Sequence, residues 1–219
     1  LGSASVICSD KTGTLTNNEM TVQVVLTASG SAEVTGVGYR PEGEVRAGDV
    51  VLGVSAPPDH DAQRAEDTVV LAGGSLASNS ELREQDGEWT VLGDPTEAAF
   101  LVAERKMGLT ERRERRFTRV GEAPFTSDRK RMSTVHLDHE HADQPVLIVK
   151  GAPDVVLERC TTYRRGMQTL PLDDEARAEV LAGVEALSAQ AMRTMGVAYR
   201  QLGVELSGAP TVDPSEAPA

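Results

Sequence analysis

Residues 9–16 read Ser9-Asp10-Lys11-Thr12-Gly13-Thr14-Leu15-Thr16. The apolar triplet Val6-Ile7-Cys8 before them predicts a short buried strand that delivers Ser9 and Asp10 at its C-terminal end, followed by a Thr/Gly loop. In open α/β sheets, ligand sites gather at that strand end. A carboxylate held there is placed to attack phosphorus, while adjacent backbone N–H groups stabilise the charge that develops. The hydroxyls of Thr12 and Thr14 can assist. A Thr/Gly turn capped by an aspartate would explain a D-x-T-G tetrapeptide equally well. The longer string, in register behind a strand, favours a phosphoryl-binding loop.

Working outward, Thr21–Thr27 (TVQVVLT) is β-branched and predicts a strand, with Glu33–Tyr39 as its hairpin partner. Residues Arg40–Asp59 read as a Gly/Pro-rich loop. A buried helix is expected between Asp61 and Ser78, weakened by Gly73 and Gly74. A second helix runs from Pro95 to about Met107, with Asp94 as N-cap, Glu97 in the first turn and Gly108 as its stop. Strands follow around Phe117–Val120, Met132–Leu137 and Val146–Val149, with a polar hairpin loop at Asp138–Gln144. A long helix from about Asp173 to Thr194 sets Val180, Val184, Leu187 and Ala191 at helical spacing, so one face is expected on the sheet. A last strand, about Met195–Leu202, closes the domain. The fold class is therefore α/β (α+β): a mainly antiparallel twisted sheet flanked by helices. The tail from Glu205 onward, rich in Pro, Ala, Gly and Ser, is expected to be disordered.

The composition excludes several function classes. A chain of 219 residues is long enough to bury a hydrophobic core. Its formal net charge of −12 argues against a nucleic-acid surface, so any anionic ligand must be held by local positive groups. No apolar run approaches the roughly 18 to 20 residues needed to cross a bilayer, and no signal-peptide pattern opens the chain, so the piece itself is expected to be soluble. Cys8 and Cys160 stand far apart without a C-x-x-C or Cys/His cluster, which suggests neither a disulfide framework nor a zinc site and fits a reducing cytosol.

The string of residues 9–16 resembles the phosphorylation motif of P-type ATPases. That resemblance implies that Asp10 becomes the aspartyl-phosphate and that the backbone carbonyl of Thr12 helps it bind Mg²⁺. In the wider haloacid-dehalogenase superfamily an acid/base Asp commonly sits where this chain has Thr12, so hydrolysis of the phospho-enzyme should be slow. A slow intermediate suits a pump that must hold its phosphorylated state while an ion moves.

Further segments extend the resemblance to about Leu202. Pro124–Ser133 (PFTSDRKRMS) looks like the family strand in which the Phe stacks on adenine. It implies Phe125, Lys130 and Met132 as nucleotide-binding residues, although Phe125 alone would read as a core aromatic. Lys150-Gly151-Ala152-Pro153-Asp154 resembles the family's K-G-A-P-E, which sets Lys150 against the nucleotide and lets the chain approach closely at Gly151; Asp154 replaces the usual Glu. Gly93–Glu97 (GDPTE) looks like the family segment whose first acidic residue, Asp94 here, lines the adenine side, and a helix cap there is compatible with that role. Arg193 matches an arginine that reaches the phosphates from the end of the long helix. Ser127 stands where some animal calcium pumps carry Arg, which puts the phosphate contacts in doubt. The combination of GDPTE, RKRMS and KGAP looks most like the calcium-pump-like group, but the transported ion is not readable.

The resemblance therefore implies an ATP-binding cytosolic portion of a cation-transporting membrane pump, with ATP and Mg²⁺ as cofactors and Asp10 and Thr12 as the start of the metal site. Residues 1–20 would begin the phosphorylation domain, 21–203 form the nucleotide-binding domain and 204–219 a tail. The partners expected are the remaining phosphorylation, actuator and transmembrane domains, whose T-G-E, T-G-D and G-D-G-x-N-D segments have no counterpart here. A monomeric piece that binds nucleotide without completing the cycle is expected. The rivals are a free-standing phosphatase using Asp10, for which no downstream acidic pair is found, and a non-catalytic interaction domain.

Overall fold

The computed structural model describes residues 19–53 and 56–203. Asp10 and Thr12 lie outside them, as do the expected first strand and tail. The β-branched run forms strand β1 (Val24–Thr27), which turns through Ala28-Ser29 into β2 (Gly30–Val34) with Thr27 opposite Gly30. The partner strand is shorter than the Glu33–Tyr39 expected, because Gly36 and Gly38 adopt φ of 79° and 75° and leave the extended region. The stretch expected as loop holds β3 (Val45–Ala47), β4 (Val50–Val51) and a 3₁₀ turn at Pro58–His60. Together β1-β2-β3-β4 make an antiparallel meander.

Helix α1 (Asp61–Leu76) follows, then the hairpin β5 (Glu81–Gln85) and β6 (Glu88–Leu92), then α2 (Pro95–Lys106) and α3 (Thr110–Arg116). The hairpin turns at Asp86-Gly87, where φ values of 54° and 82° suit a two-residue primed turn. Helix α2 begins as its sequence dictates: the Asp94 carboxylate accepts from Thr96 N at 2.7 Å and Glu97 N at 3.3 Å, with Pro95 at the first position. Strands β7 (Phe117–Ala123), β8 (Arg131–Asp138) and β9 (Gln144–Gly151) form a second antiparallel meander. Helix α4 (Pro153–Leu157), the hairpin β10 (Thr162–Arg165) and β11 (Gln168–Pro171), and α5 (Asp174–Ala189) lead to β12 (Gly196–Gln201). That strand adds to the far side of β9, giving the order β12-β9-β8-β7.

Helix α1 touches both four-stranded sheets. Leu71 joins Val25, Ala32, Val34, Val45 and Leu52 with Phe100 of α2, whereas Leu76 packs with Met132, Val146 and Ile148. Gly73 and Gly74 are sites of close approach: an added Cβ would lie 2.9 Å from Val197 Cγ1 at Gly73 and 2.0 Å from Phe100 Cδ1 at Gly74. Their helix-weakening effect is offset by the contact they allow between α1, α2 and β12.

Two expectations about α5 need correction. The helix stops at Ala189, so Arg193 lies in the link to β12 rather than at a helix end. The packing expected of its apolar face is partial: Val180 and Leu181 stay exposed and Val184 and Leu187 are half-buried, with α4 beside the helix and Leu26 of β1, in the first sheet, facing Gly183. Spacing fixes which residues share a face, and only the rest of the chain fixes what covers that face.

Candidate functional site at the end of the central sheet

Strands β7 and β9 finish, and β8 and β12 begin, at one end of the second sheet. Ala123 pairs with Ser133 there, and Gly151 lies opposite both Arg131 and Gly196. The link carrying Phe125 and Lys130, the Lys150-Gly151 pair and the link carrying Arg193 therefore all reach this end. Segments far apart in sequence converge because the meander and the crossover put their strand ends side by side.

Lys150 is the centre of the site. Its neighbours on the same sheet face, Met132, Thr134, Val146 and Ile148, are buried, and its own side chain is 3% exposed. The ammonium donates to Gly74 O at 3.3 Å, lies 3.5 Å from Glu97 Oε1 and stands 5.3 Å above the Phe100 ring. Gly74 lies in the last turn of α1, whose carbonyls lack helical partners and carry the negative end of the helix dipole. Burial holds the Lys150 amine below the ordinary lysine value, while the Glu97 and Asp94 carboxylates pull it back up. A cation is costly to bury. The contacts here, at 3.3 and 3.5 Å, are long and leave the charge only partly compensated.

The sequence places Glu97 in the first turn of α2 without a role in the site, yet it makes the contact with Lys150. Its Oε2 accepts from Asn79 N at 2.7 Å, with the hydroxyls of Ser78 and Ser80 at 3.4 and 3.5 Å. Asp94, one turn earlier, spends its carboxylate on the cap and acts on Lys150 through its charge. The capping rule contains the missed signal: in G-D-P-T-E the first acid serves the helix N-terminus and the second is left for the interior.

The other expected residues divide by environment. Phe125 is 55% exposed and outside the core clusters, as a ring offered to a ligand would be. Met132, opposite Lys150, is 2% exposed and belongs to the core beside Leu76. At Gly151 an added Cβ would lie 2.4 Å from Lys130 O, so the close approach it permits is that of the β8 backbone; Ala152 N donates to the same carbonyl at 3.0 Å. Lys130 turns the chain with φ of 51°, and both it and Arg193 are exposed.

A basic rim lies at this end, in which Lys130 and Arg193, expected from the motifs, are joined by Arg129, Arg131 and Arg159. Burial, and then the Arg159 and Arg129 guanidiniums, hold Arg131 below the usual arginine value. Arg129 is fixed by Pro124 O at 3.1 Å and Ser133 Oγ at 3.3 Å. Among the described residues, none of Arg129, Lys130, Arg131, Arg159 and Arg193 forms an ion pair. Crowded cations without an ion pair among the described residues, in a chain of net charge −12, favour an anionic ligand. A cleft of about 370 Å³ lies further along the sheet, toward the start of β7, lined by Ser78, Ser80, Arg113, Phe117, Arg119 and His136 among others. It shares Ser78 and Ser80 with the surroundings of Glu97, but neither Lys150 nor Phe125 lines it.

Comparison with known proteins finds several relatives. Residues 68–217 match the family described as P-type ATPase, cytoplasmic domain N. A calcium-transporting ATPase of Bacillus subtilis is 39% identical over 204 residues, covering 92% of this chain and 22% of that protein. The calcium-transporting ATPase type 2C member 1 of Bos taurus is 40% identical over 180 residues, 81% of this chain and 18% of that one. A probable cation-transporting ATPase F of Mycobacterium tuberculosis is 40% identical over 200 residues, 89% and 20% of the two chains. The chain thus spans about a fifth of the length of these relatives.

Proposed function

This chain belongs to the P-type ATPases, as their cytoplasmic domain N, and on that premise we propose that it binds ATP at the sheet end that gathers Lys150, Glu97, Phe125 and the basic rim. The observation that carries this reading is the buried Lys150 ammonium, held at 3.5 Å by Glu97 beside a cluster of unpaired cations. Adenine stacks on the exposed Phe125 ring, whose face accepts any base, and its edge meets the Lys150–Glu97 pair. The phosphates run along Lys130, Arg129, Arg131 and Arg193. Asp94 contributes charge and the α2 cap, Met132 supports the pocket from the core, and Gly151 keeps β8 and β9 close enough to hold Lys150 in place.

In the whole protein the proposed cycle passes the γ-phosphoryl group to Asp10. A carboxylate oxygen of Asp10 forms a bond to the γ-phosphorus as the bond to the β-bridging oxygen breaks, and ADP leaves with that electron pair. Asp10 and the Thr12 carbonyl are hard oxygen donors of the kind Mg²⁺ takes. When bound, Mg²⁺ would neutralise charge on the γ-phosphate. The remaining phosphorylation, actuator and transmembrane domains would turn phosphorylation into cation transport, and the names of the bacterial and bovine relatives favour calcium as the cation.

Calorimetric titration of ATP tests the pocket. We expect saturable binding by the wild-type chain, weakened in both Phe125→Ala and Lys150→Ala proteins that retain the wild-type circular dichroism. Absence of binding, or undiminished binding by both variants, would overturn the assignment.

A further inference from the structure

Strand β7 carries one residue more than its partner. Arg119 lies opposite His136 and Gly121 opposite Val135, so Val120 bulges out of the register. In a regular strand residues 119 and 122 would project to opposite faces. Across the bulge they lie opposite His136 and Thr134, which share one face of β8. Bulges beside sites commonly re-aim side chains in this way.

The two re-aimed side chains grip Asn79. Arg119 Nη1 donates to Asn79 Oδ1 at 2.6 Å and lies 3.3 Å from Glu122 Oε2, while Asn79 Nδ2 donates to Glu122 Oε1 at 2.5 Å. Both ends of the Asn79 amide are thereby engaged. Arg119 Nη2 also donates to the carbonyls of Leu76 and Ser78, the second at 2.6 Å. The chain leaving α1 is thus tied to β7 at the point where Asn79 N and Ser78 Oγ hold Glu97 Oε2. The second carboxylate oxygen, Oε1, is the one that faces Lys150.

We propose that the Arg119–Asn79–Glu122 clamp, assembled by the bulge at Val120, positions the nucleotide pocket by fixing which oxygen of Glu97 serves the backbone and which faces Lys150. The clamp rests on the ATP reading above. Arg119 and Glu122 act through Asn79 and Glu97, so they are positioning residues. Loosening them lets the carboxylate rotate away from Lys150 and weakens the grip on the base.

The test is a double-mutant cycle read by calorimetric titration of ATP, with fold checked by circular dichroism. Arg119→Gln and Asn79→Ala should each weaken ATP binding about three- to tenfold, the worth of one or two hydrogen bonds. Placed on Glu97→Gln, the Asn79→Ala change should add no further loss, because the clamp works through that carboxylate. A purely structural role would instead give additive losses. Additive losses, or unchanged affinity in both clamp variants, would overturn the clamp while leaving the ATP reading in place; full binding by Glu97→Gln would overturn the clamp and remove Glu97 from the ATP site. No binding by the wild type would overturn both. Asn79→Ala truncates an exposed side chain and leaves the Arg119 charge, so it carries the test if Arg119→Gln unfolds.

Discussion

Asp67 on α1 is fully buried, and neither of its carboxylate oxygens has a hydrogen-bond partner among the described residues. Burial, with the neighbouring Glu66 charge adding to it, pushes its carboxyl up to about 7. Glu66 ends on the other side of its ordinary value: burial pushes it up, but hydrogen bonds from Ser29 and Gly166 outweigh that. An acid whose folded value lies above its unfolded one binds its proton more tightly in the folded chain. Asp67 therefore costs stability as pH rises from about 4 to about 7, with the full cost present above 7. His136 acts in the opposite sense: burial lowers it to about 4, so stability falls as pH drops from about 6.5 toward 4. Urea unfolding should show Asp67→Asn more stable than wild type, by a margin that widens by about 2–3 kcal/mol between pH 5 and pH 8. A margin that stays constant with pH would remove the buried carboxyl as its cause.

Elements meet where small residues let them. Replacing a mid-helix glycine by alanine ordinarily stabilises a helix by about 1 kcal/mol. At Gly74 the added Cβ would lie 2.0 Å from the Phe100 ring, which is 6% exposed and has no room to swing aside. Gly74→Ala should therefore destabilise the protein, by about 1–3 kcal/mol in thermal or urea unfolding. Gly183 of α5 offers the contrast. A Cβ there meets only the Leu26 side-chain end at 2.5 Å, and Leu26 is 44% exposed and free to turn. Gly183→Ala should be neutral or stabilising in the same measurement. Equal effects at the two sites would mean that the α1–α2 contact is looser than the distances indicate.

At the scale of the molecule, a net charge of −12 opposes an anionic nucleotide at long range. The rim of Arg129, Lys130, Arg131, Arg159 and Arg193 gathers positive charge at the sheet end, and such charge acts on an anion within a Debye length of about 10 Å at 0.1 M salt. ATP affinity should therefore fall as salt is raised, whereas adenosine, which lacks the phosphates, should bind with little salt dependence. Equal salt dependence for the two ligands would place the phosphates away from the rim.

The sequence by itself determined what is encoded within a few residues. The α2 start at Asp94-Pro95, the strands around Met132 and Val146, and the GDPTE, PFTSDRKRMS and KGAPD strings were legible because caps, alternation and motifs are local. The Asp86-Gly87 hairpin was equally local and was passed over, although its turn residues announce it. Tertiary structure decided the rest. The Glu97–Lys150 contact joins residues of separate elements, and the bulge at Val120 exists only in register with β8. The apolar spacing of α5 is covered only in part, with Val184 and Leu187 half-buried and Val180 exposed, because a periodic face states what a helix offers, and its partner is chosen by the whole chain. Pairing across long stretches of sequence depends on strand order and crossover, which no local run of residues contains.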